Sequence, residues 1–189
     1  MTLKVIFEKE TYKILGAQAV GYEGVEKRID VIATAIFAGL TADKLKDLEL
    51  SYAPPYSSAK DPVNMAGFII ENMKNGIVGQ FYYEDIPSLQ KRDDITLLDT
   101  RTVYEYMRGH AEGFINIPVD ELRERLTELD KSKPVYVMCQ SGLRSYLATR
   151  ILMQNGFDAY NFAGGYRLYG TMYYDEVVSK NAYDCGMEK

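Results

Sequence analysis

The chemistry of this chain concentrates in one six-residue segment, which reads Cys139, Gln140, Ser141, Gly142, Leu143 and Arg144. The apolar run 135–138 before it is typical of a buried strand, and the run 145–155 after it is typical of a helix. The backbone N–H groups of such a loop and the helix N-terminus converge on the cysteine sulfur and stabilise its thiolate. Because the thiolate is the nucleophilic form, Cys139 is the candidate nucleophile and Arg144 the candidate cation beside it.

Strands and short helices alternate in the second part of the chain, after the glycine-containing boundary near residues 75–80. This alternation predicts a parallel α/β sheet with helices on both faces. Ligands bind such sheets beyond the carboxyl ends of the strands, where Asp99 and Cys139 both fall. Strands are predicted at 80–83, 95–98, 114–117, 134–138 and 159–162, helices at 86–90, 102–107, 119–129 and 145–155, and a turn at 164–165.

The first part of the chain has a different pattern, in which a hairpin is followed by helices. Strands are predicted at 3–8 and 14–20, helices at 25–40 and 61–74, and a short helix at 41–48. We therefore predict two domains, a small α+β domain over residues 1–78 and an α/β domain over residues 79–189.

Composition excludes several functional classes. The 189 residues carry a formal net charge of −5, which gives no support for nucleic-acid binding. No apolar run approaches the length of a membrane span. Two cysteines, Cys139 and Cys185, do not make a disulfide framework, so a reducing, cytoplasmic location is expected. A single histidine, His110, leaves too few nitrogen and sulfur ligands for a zinc site, and no metal is expected.

Three blocks in the second part resemble the rhodanese family of sulfurtransferases. They are residues 98–101 with 105–106 and 109–118, residues 139–145, and residues 156–158 with 163–165. The resemblance covers about residues 79–175 and implies a rhodanese-like fold. It implies that Cys139 carries a sulfane sulfur as a persulfide. It also implies a substrate cradle formed by the loop amides and Arg144, in which the loop residues are Gln140, Ser141, Gly142 and Leu143.

The residues around the loop have alternative interpretations. Asp99 and Arg101 are expected to brace the edge of the site by hydrogen bonding, with Glu105 as a partner for Arg101 or for a nearby backbone N–H. Arg144 is alternatively a surface arginine paired with a carboxylate. Cys185, in a polar tail, is expected to take no part, although it is also a candidate to resolve a persulfide as a disulfide. Four tyrosines are candidates for a wall of the pocket mouth: Tyr166, Tyr169, Tyr173 and Tyr174.

The first part resembles the end of the dimerisation domain of flavin-dependent pyridine nucleotide-disulfide oxidoreductases. The matching residues are 14–21, 27–30 and 52–62, and the nearest branch is the coenzyme A-disulfide reductase and NADH oxidase group. Some members carry a carboxyl-terminal rhodanese domain and are linked to reduction of coenzyme A disulfides, persulfides or polysulfides. The resemblance implies a homodimer. It also matches Tyr52 to a tyrosine associated with the substrate site of the second subunit.

The chain departs from this group in its cofactor sites. No G-x-G-x-x-G follows a strand, and no cysteine precedes Cys139 to stand beside a flavin. FAD and NAD sites are therefore expected to be absent from this chain. We expect it to correspond to the carboxyl-terminal part of a larger protein or to the product of a short gene.

Three functions are compatible with these residues. The first is sulfur transfer, in which thiosulfate, a polysulfide or a persulfide gives sulfur to Cys139 and a thiol or cyanide accepts it. The second is phosphatase or arsenate reductase chemistry on the same fold, but the related phosphatases have a loop one residue longer than the six residues of 139–144. The third is a non-catalytic module for dimerisation or docking.

Overall fold

The computed structural model describes residues 1–174, and the chain divides into two compact units at Ile77/Val78. The first unit opens with an antiparallel hairpin in which Thr2 pairs with Val20. Its elements are strands β1 (Thr2–Phe7) and β2 (Ile14–Val20), helix α1 (Val25–Phe37), a 3-10 helix (Ala42–Asp47) and helix α2 (Pro62–Lys74). Helix α1 ends three residues before the predicted position, and Gly39 then adopts a left-handed conformation with φ 73°.

The core of the first unit joins the hairpin to the helices. Ile14 of β2, Ile32 of α1 and Val63 of α2 are buried together with Leu45 of the 3-10 helix. A buried ion pair adds a polar link, since Nη2 of Arg28 lies 2.8 Å from Oδ2 of Asp61.

The second unit is a five-stranded parallel sheet in the order β3-β7-β6-β4-β5. It confirms the predicted α/β class, with a small antiparallel sheet ahead of it. One face of the sheet packs against α5 through residues such as Val137 and Leu152, and the other packs Met138 and Phe162 against Ile86 and Tyr169. The elements are β3 (Gly79–Phe81), α3 (Ile86–Leu89), β4 (Thr96–Asp99), α4 (Val103–Met107), β5 (Ile115–Asn116), β6 (Val135–Met138), α5 (Leu143–Gln154), β7 (Ala159–Phe162) and α6 (Gly165–Met172).

The prediction of a helix over 119–129 is wrong. The segment forms successive turns, in which Leu122 N–H donates to Val119 O, and a 3-10 helix at Leu126–Glu128. Leu122 and Leu129 are nevertheless buried, as their spacing suggested. Apolar residues three or four positions apart share one side in both arrangements, so the spacing did not distinguish them.

Helix α6 was not predicted, because the two glycines at its start indicated only a turn. It begins at Gly165 and buries Tyr169 against the sheet. Among the helices described between residues 1 and 174, none has the length and apolar character needed to cross a membrane.

Candidate active site

Cys139 directly follows β6, the central strand of the sheet. The residue is 1% exposed, and its sulfur accepts a hydrogen bond from the backbone N–H of Gly142 at 3.1 Å. The hydroxyl of Ser145 lies 3.2 Å from the same sulfur and 3.1 Å from the carbonyl oxygen of Gly142. The Gly142 N–H of the loop therefore donates to the sulfur, and the single hydroxyl proton of Ser145, in the first turn of α5, is within reach of both the sulfur and Gly142 O. Donation to the sulfur stabilises negative charge on it.

Gly142 makes this arrangement possible. Its φ of 113° lies in the left-handed region, which a side chain disfavours, and it leads the chain from the loop into α5. The 12-residue helix α5 starts at the next residue, so its N-terminus and its positive dipole end lie beside the loop.

Backbone hydrogen bonds clamp the loop to the start of α6. Tyr166 N–H donates to Cys139 O at 2.7 Å, and Arg167 N–H donates to Gln140 O at 3.1 Å. A Cβ on Gly165 would lie 2.6 Å from the backbone nitrogen of Ser141, so only glycine permits this approach. Sequence reasoning missed this clamp, and its one signal was the glycine pair 164–165.

Asp99 and Arg101 form a buried ion pair at the end of β4. Nη2 of Arg101 lies 2.7 Å from Oδ2 of Asp99 and donates to the carbonyl oxygen of Gly109 at 2.8 Å. The Arg101 guanidinium stacks 3.8 Å above the centre of the Tyr166 ring. Asp99 is in register with Met138, which places the pair at the same sheet edge as Cys139.

Glu105 pairs with Arg144, not with Arg101. Nη1 and Nη2 of Arg144 each donate to the carboxylate at 2.7 Å, and Glu105 also accepts from Thr102 N–H at 3.0 Å. Arg144 lowers the pKa of Glu105 to about 2, and Glu105 in turn raises the pKa of Arg144. Both side chains are 31% exposed, so the pair lies at the rim of the site. Arg144 therefore makes its bidentate contact with Glu105, a carboxylate of the same domain.

An open cleft of about 420 Å³ lies beside the loop. Tyr166 is the one member of the tyrosine group 166, 169, 173 and 174 among its lining residues. Tyr169 is buried in the core, and the Tyr173 hydroxyl donates to Tyr83 O at 2.8 Å. The cleft is lined by Arg101, Glu105, Arg108, Gly109, Gln140 and Tyr166.

Two further residues were singled out from the sequence, Tyr52 and Cys185. Tyr52 belongs to the first unit, where its side chain is exposed. Cys185 lies outside the described residues. Within residues 1–174, no group of three or more His, Cys, Asp or Glu side chains is arranged to hold a metal ion.

Two family models match the chain in sequence order. Residues 83–171 match the rhodanese-like domain. The chain contains a rhodanese-like domain. Residues 1–62 match the dimerisation domain of the pyridine nucleotide-disulphide oxidoreductases. The rhodanese-like domain therefore contains the Cys139 loop, the Asp99–Arg101 pair and the Glu105–Arg144 pair. A segment that matches the dimerisation domain precedes it.

Known proteins that match parts or most of this chain are much longer than it. Coenzyme A disulfide reductase of Staphylococcus aureus is 50% identical over 66 residues, which are 35% of this chain and 15% of that protein. The crystal structure of reduced Bacillus anthracis CoADR-RHD is 48% identical, with a TM-score of 0.89 over 93% of this chain and 31% of that one. An NAD-dependent persulfide reductase from A. fulgidus is 44% identical, with a TM-score of 0.76 over 86% of this chain and 29% of that one. The chain thus spans less than a third of each relative.

Proposed function

We propose that the rhodanese-like domain is a sulfurtransferase in which Cys139 carries a sulfane sulfur. The observation that carries the proposal is the cysteine sulfur at the end of the central strand, facing Gly142 N–H at 3.1 Å and the Ser145 hydroxyl at 3.2 Å. These donors stabilise the thiolate that attacks and the thiolate that leaves.

The reaction has two steps that balance without an added oxidant or reductant. In the first, the Cys139 thiolate attacks the outer sulfur of a persulfide donor, a bond forms to Sγ, and the donor leaves as a thiolate. In the second, an acceptor thiolate attacks the outer sulfur of the Cys139 persulfide, which restores the Cys139 thiolate and yields a new persulfide. Covalent storage between two substrates predicts ping-pong kinetics.

The rim ion pair favours sulfur transfer over phosphoryl transfer. Phosphoryl transfer requires cations that stabilise charge on three equatorial oxygens. Arg144, the one cation within the loop, donates from both Nη1 and Nη2 to Glu105. The near-complete burial of Cys139 also favours a terminal sulfur atom, which is slimmer than a tetrahedral oxyanion.

The test is the mass of the intact protein after incubation with polysulfide. We expect a gain of about 32 Da, one sulfur atom, that a reductant removes. Cys139→Ser should abolish the reductant-sensitive gain and the formation of thiocyanate from cyanide. Cys185→Ser is the matched control and should retain both. Full activity in Cys139→Ser would contradict the proposal.

We also propose that the domain is the sulfur-handling part of a fusion that reduces coenzyme A disulfides, persulfides or polysulfides. The support is the order of the two domain matches and the names of the two relatives that align with most of this chain. Because residues 1–189 carry no G-x-G-x-x-G loop after a strand, we expect the purified chain to show no flavin absorption. A flavin spectrum that persists through purification would contradict this expectation.

We propose that the first unit pairs two copies of the chain. It matches a dimerisation domain, and it exposes apolar side chains on its hairpin and on α1, including Leu15, Val20 and Phe37, the last 94% exposed. Burial of such surface stabilises association. Sedimentation at micromolar concentration should show a dimer, and Phe37→Asp should weaken it. A monomer of 21.5 kDa would contradict the proposal.

A further inference from the structure

Three charged side chains line the cleft beside Gln140, and two of them are neutralised within the domain. Arg101 is paired with Asp99, and Glu105 is paired with Arg144, each at 2.7 Å. The third is Arg108, which makes no ion pair with a carboxylate of residues 1–174. The cleft therefore presents one uncompensated positive charge from the residues that the structure describes.

Arg108 is also held in place. Its guanidinium lies 5.3 Å from the centre of the Tyr104 ring, and its backbone N–H donates to Tyr104 O at 3.3 Å. The next residue, Gly109, is tied to the buried Arg101 through its carbonyl oxygen at 2.8 Å. The backbone that carries the cation is thus joined to the ion pair at the end of β4.

We propose that Arg108 selects sulfur donors and acceptors that carry an anionic group away from the reacting sulfur. This inference rests on the proposed sulfur transfer. The sequence suggested Arg144 as the substrate cation, but its Nη1 and Nη2 both donate to Glu105. A guanidinium pairs well with phosphate and carboxylate, and a cleft of about 420 Å³ fits a low-molecular-weight thiol. The substrate class is therefore an anionic small-molecule thiol or its persulfide.

Coenzyme A and pantetheine make a matched pair of probes, because they share the thiol arm and differ in the phosphate-bearing nucleotide. The experiment loads Cys139 with sulfur and measures, by mass, how fast each thiol removes it below saturation. Arg108→Gln should slow transfer to coenzyme A about fivefold, the scale of one exposed charged contact. Transfer to pantetheine should stay unchanged. Arg123→Gln, an exposed arginine away from the cleft lining, is the control and should slow neither.

Binding provides an arm that does not depend on sulfur transfer. In the Cys139→Ser background, calorimetry should show that Arg108→Gln weakens coenzyme A binding about fivefold. Added salt should weaken coenzyme A binding and leave pantetheine binding unchanged. Equal effects of Arg108→Gln on the two thiols, or no effect on either, would overturn the inference. Failure of Cys139 to take up sulfur would instead overturn the proposed function, and the calorimetry would still decide the role of Arg108.

Discussion

Each of the two units buries an arginine–aspartate pair, and the two pairs do different work. In the first unit, Arg28 of α1 bonds to Asp61, 33 residues away, and Asp61 also accepts from Val63 N–H at 3.0 Å to cap α2. In the second unit, Asp99 and Arg101 are only two residues apart, so the ion pair itself lies within one short segment. The first pair connects two helices. The second pair holds Arg101 at the edge of a cleft, where its guanidinium stacks on the ring of Tyr166.

The difference teaches that burial of a charged pair does not by itself mark a functional site. Both pairs satisfy the rule that a buried charge requires a partner. The two pairs differ in their surroundings. Nη1 of Arg28 donates to the carbonyl oxygen of Gly24, the residue directly before α1. Arg101 instead has one face on Tyr166 and lines an open cleft.

Substitution of the two aspartates gives the largest expected effect and tests the comparison directly. Asp61→Asn and Asp99→Asn each leave a buried arginine without its counter-charge, which costs about 3 to 5 kcal/mol of stability. Urea unfolding measures this loss, and hydrogen exchange assigns it to a unit. The rate of sulfur loading per folded molecule should fall in Asp99→Asn and stay unchanged in Asp61→Asn. Equal loading rates in the two variants would remove the functional distinction between the pairs.

A methyl group at Gly165 tests whether the clamp by α6 shapes the loop. The added Cβ would lie 2.6 Å from the backbone of Gln140 and Ser141, so the loop must shift. Displacement of a nucleophile and its donors should slow sulfur loading by more than about tenfold in Gly165→Ala. Gly170→Ala, in the same helix, meets no atom within 4 Å and should load normally. If Gly165→Ala also loads at the normal rate, the loop does not depend on the clamp.

The rim pair gives the smallest expected effect, and pH reveals it. The folded pKa of Glu105, about 2, lies below its ordinary value of 4.5, so its contribution to stability is complete above pH 4.5 and is lost as pH falls toward 2. Because both side chains are 31% exposed, Glu105→Gln should cost only about 1 kcal/mol at pH 7. Urea unfolding should show this difference shrinking between pH 4.5 and 2. If the stability difference between Glu105→Gln and the unsubstituted chain persists unchanged at pH 2, it does not originate in the charge of Glu105. The control is Glu128→Gln, which breaks the exposed ion pair between Glu128 and Arg125.

Much of the second unit could be predicted from the sequence because its strands are short apolar runs with clear ends. The strand 159–162 and the helix that follows the Cys139 loop lie where the pattern placed them, to within two residues. The prediction of a helix over 119–129 was wrong because the same apolar spacing occurs in successive turns and in a helix. Helix α6 was missed because its first residues are glycines, which indicate a turn. Glycine is needed at Gly165 because the start of the helix lies close to the backbone of the Cys139 loop.

The sequence by itself determined which residue is the candidate nucleophile, Cys139. A cysteine after a strand, a loop with a glycine and a following helix N-terminus predict hydrogen-bond donors around the sulfur, because neighbouring residues control the local backbone geometry. Only the tertiary structure decided which of the cations near the loop are paired with carboxylates. Arg144 meets Glu105 from 39 residues away, and Arg101 stacks on the ring of Tyr166, which lies 65 residues further along the chain. Arg108 makes no ion pair with a carboxylate among residues 1–174. Ion pairing depends on distances between segments that lie far apart in the chain, and residue types alone do not specify those distances.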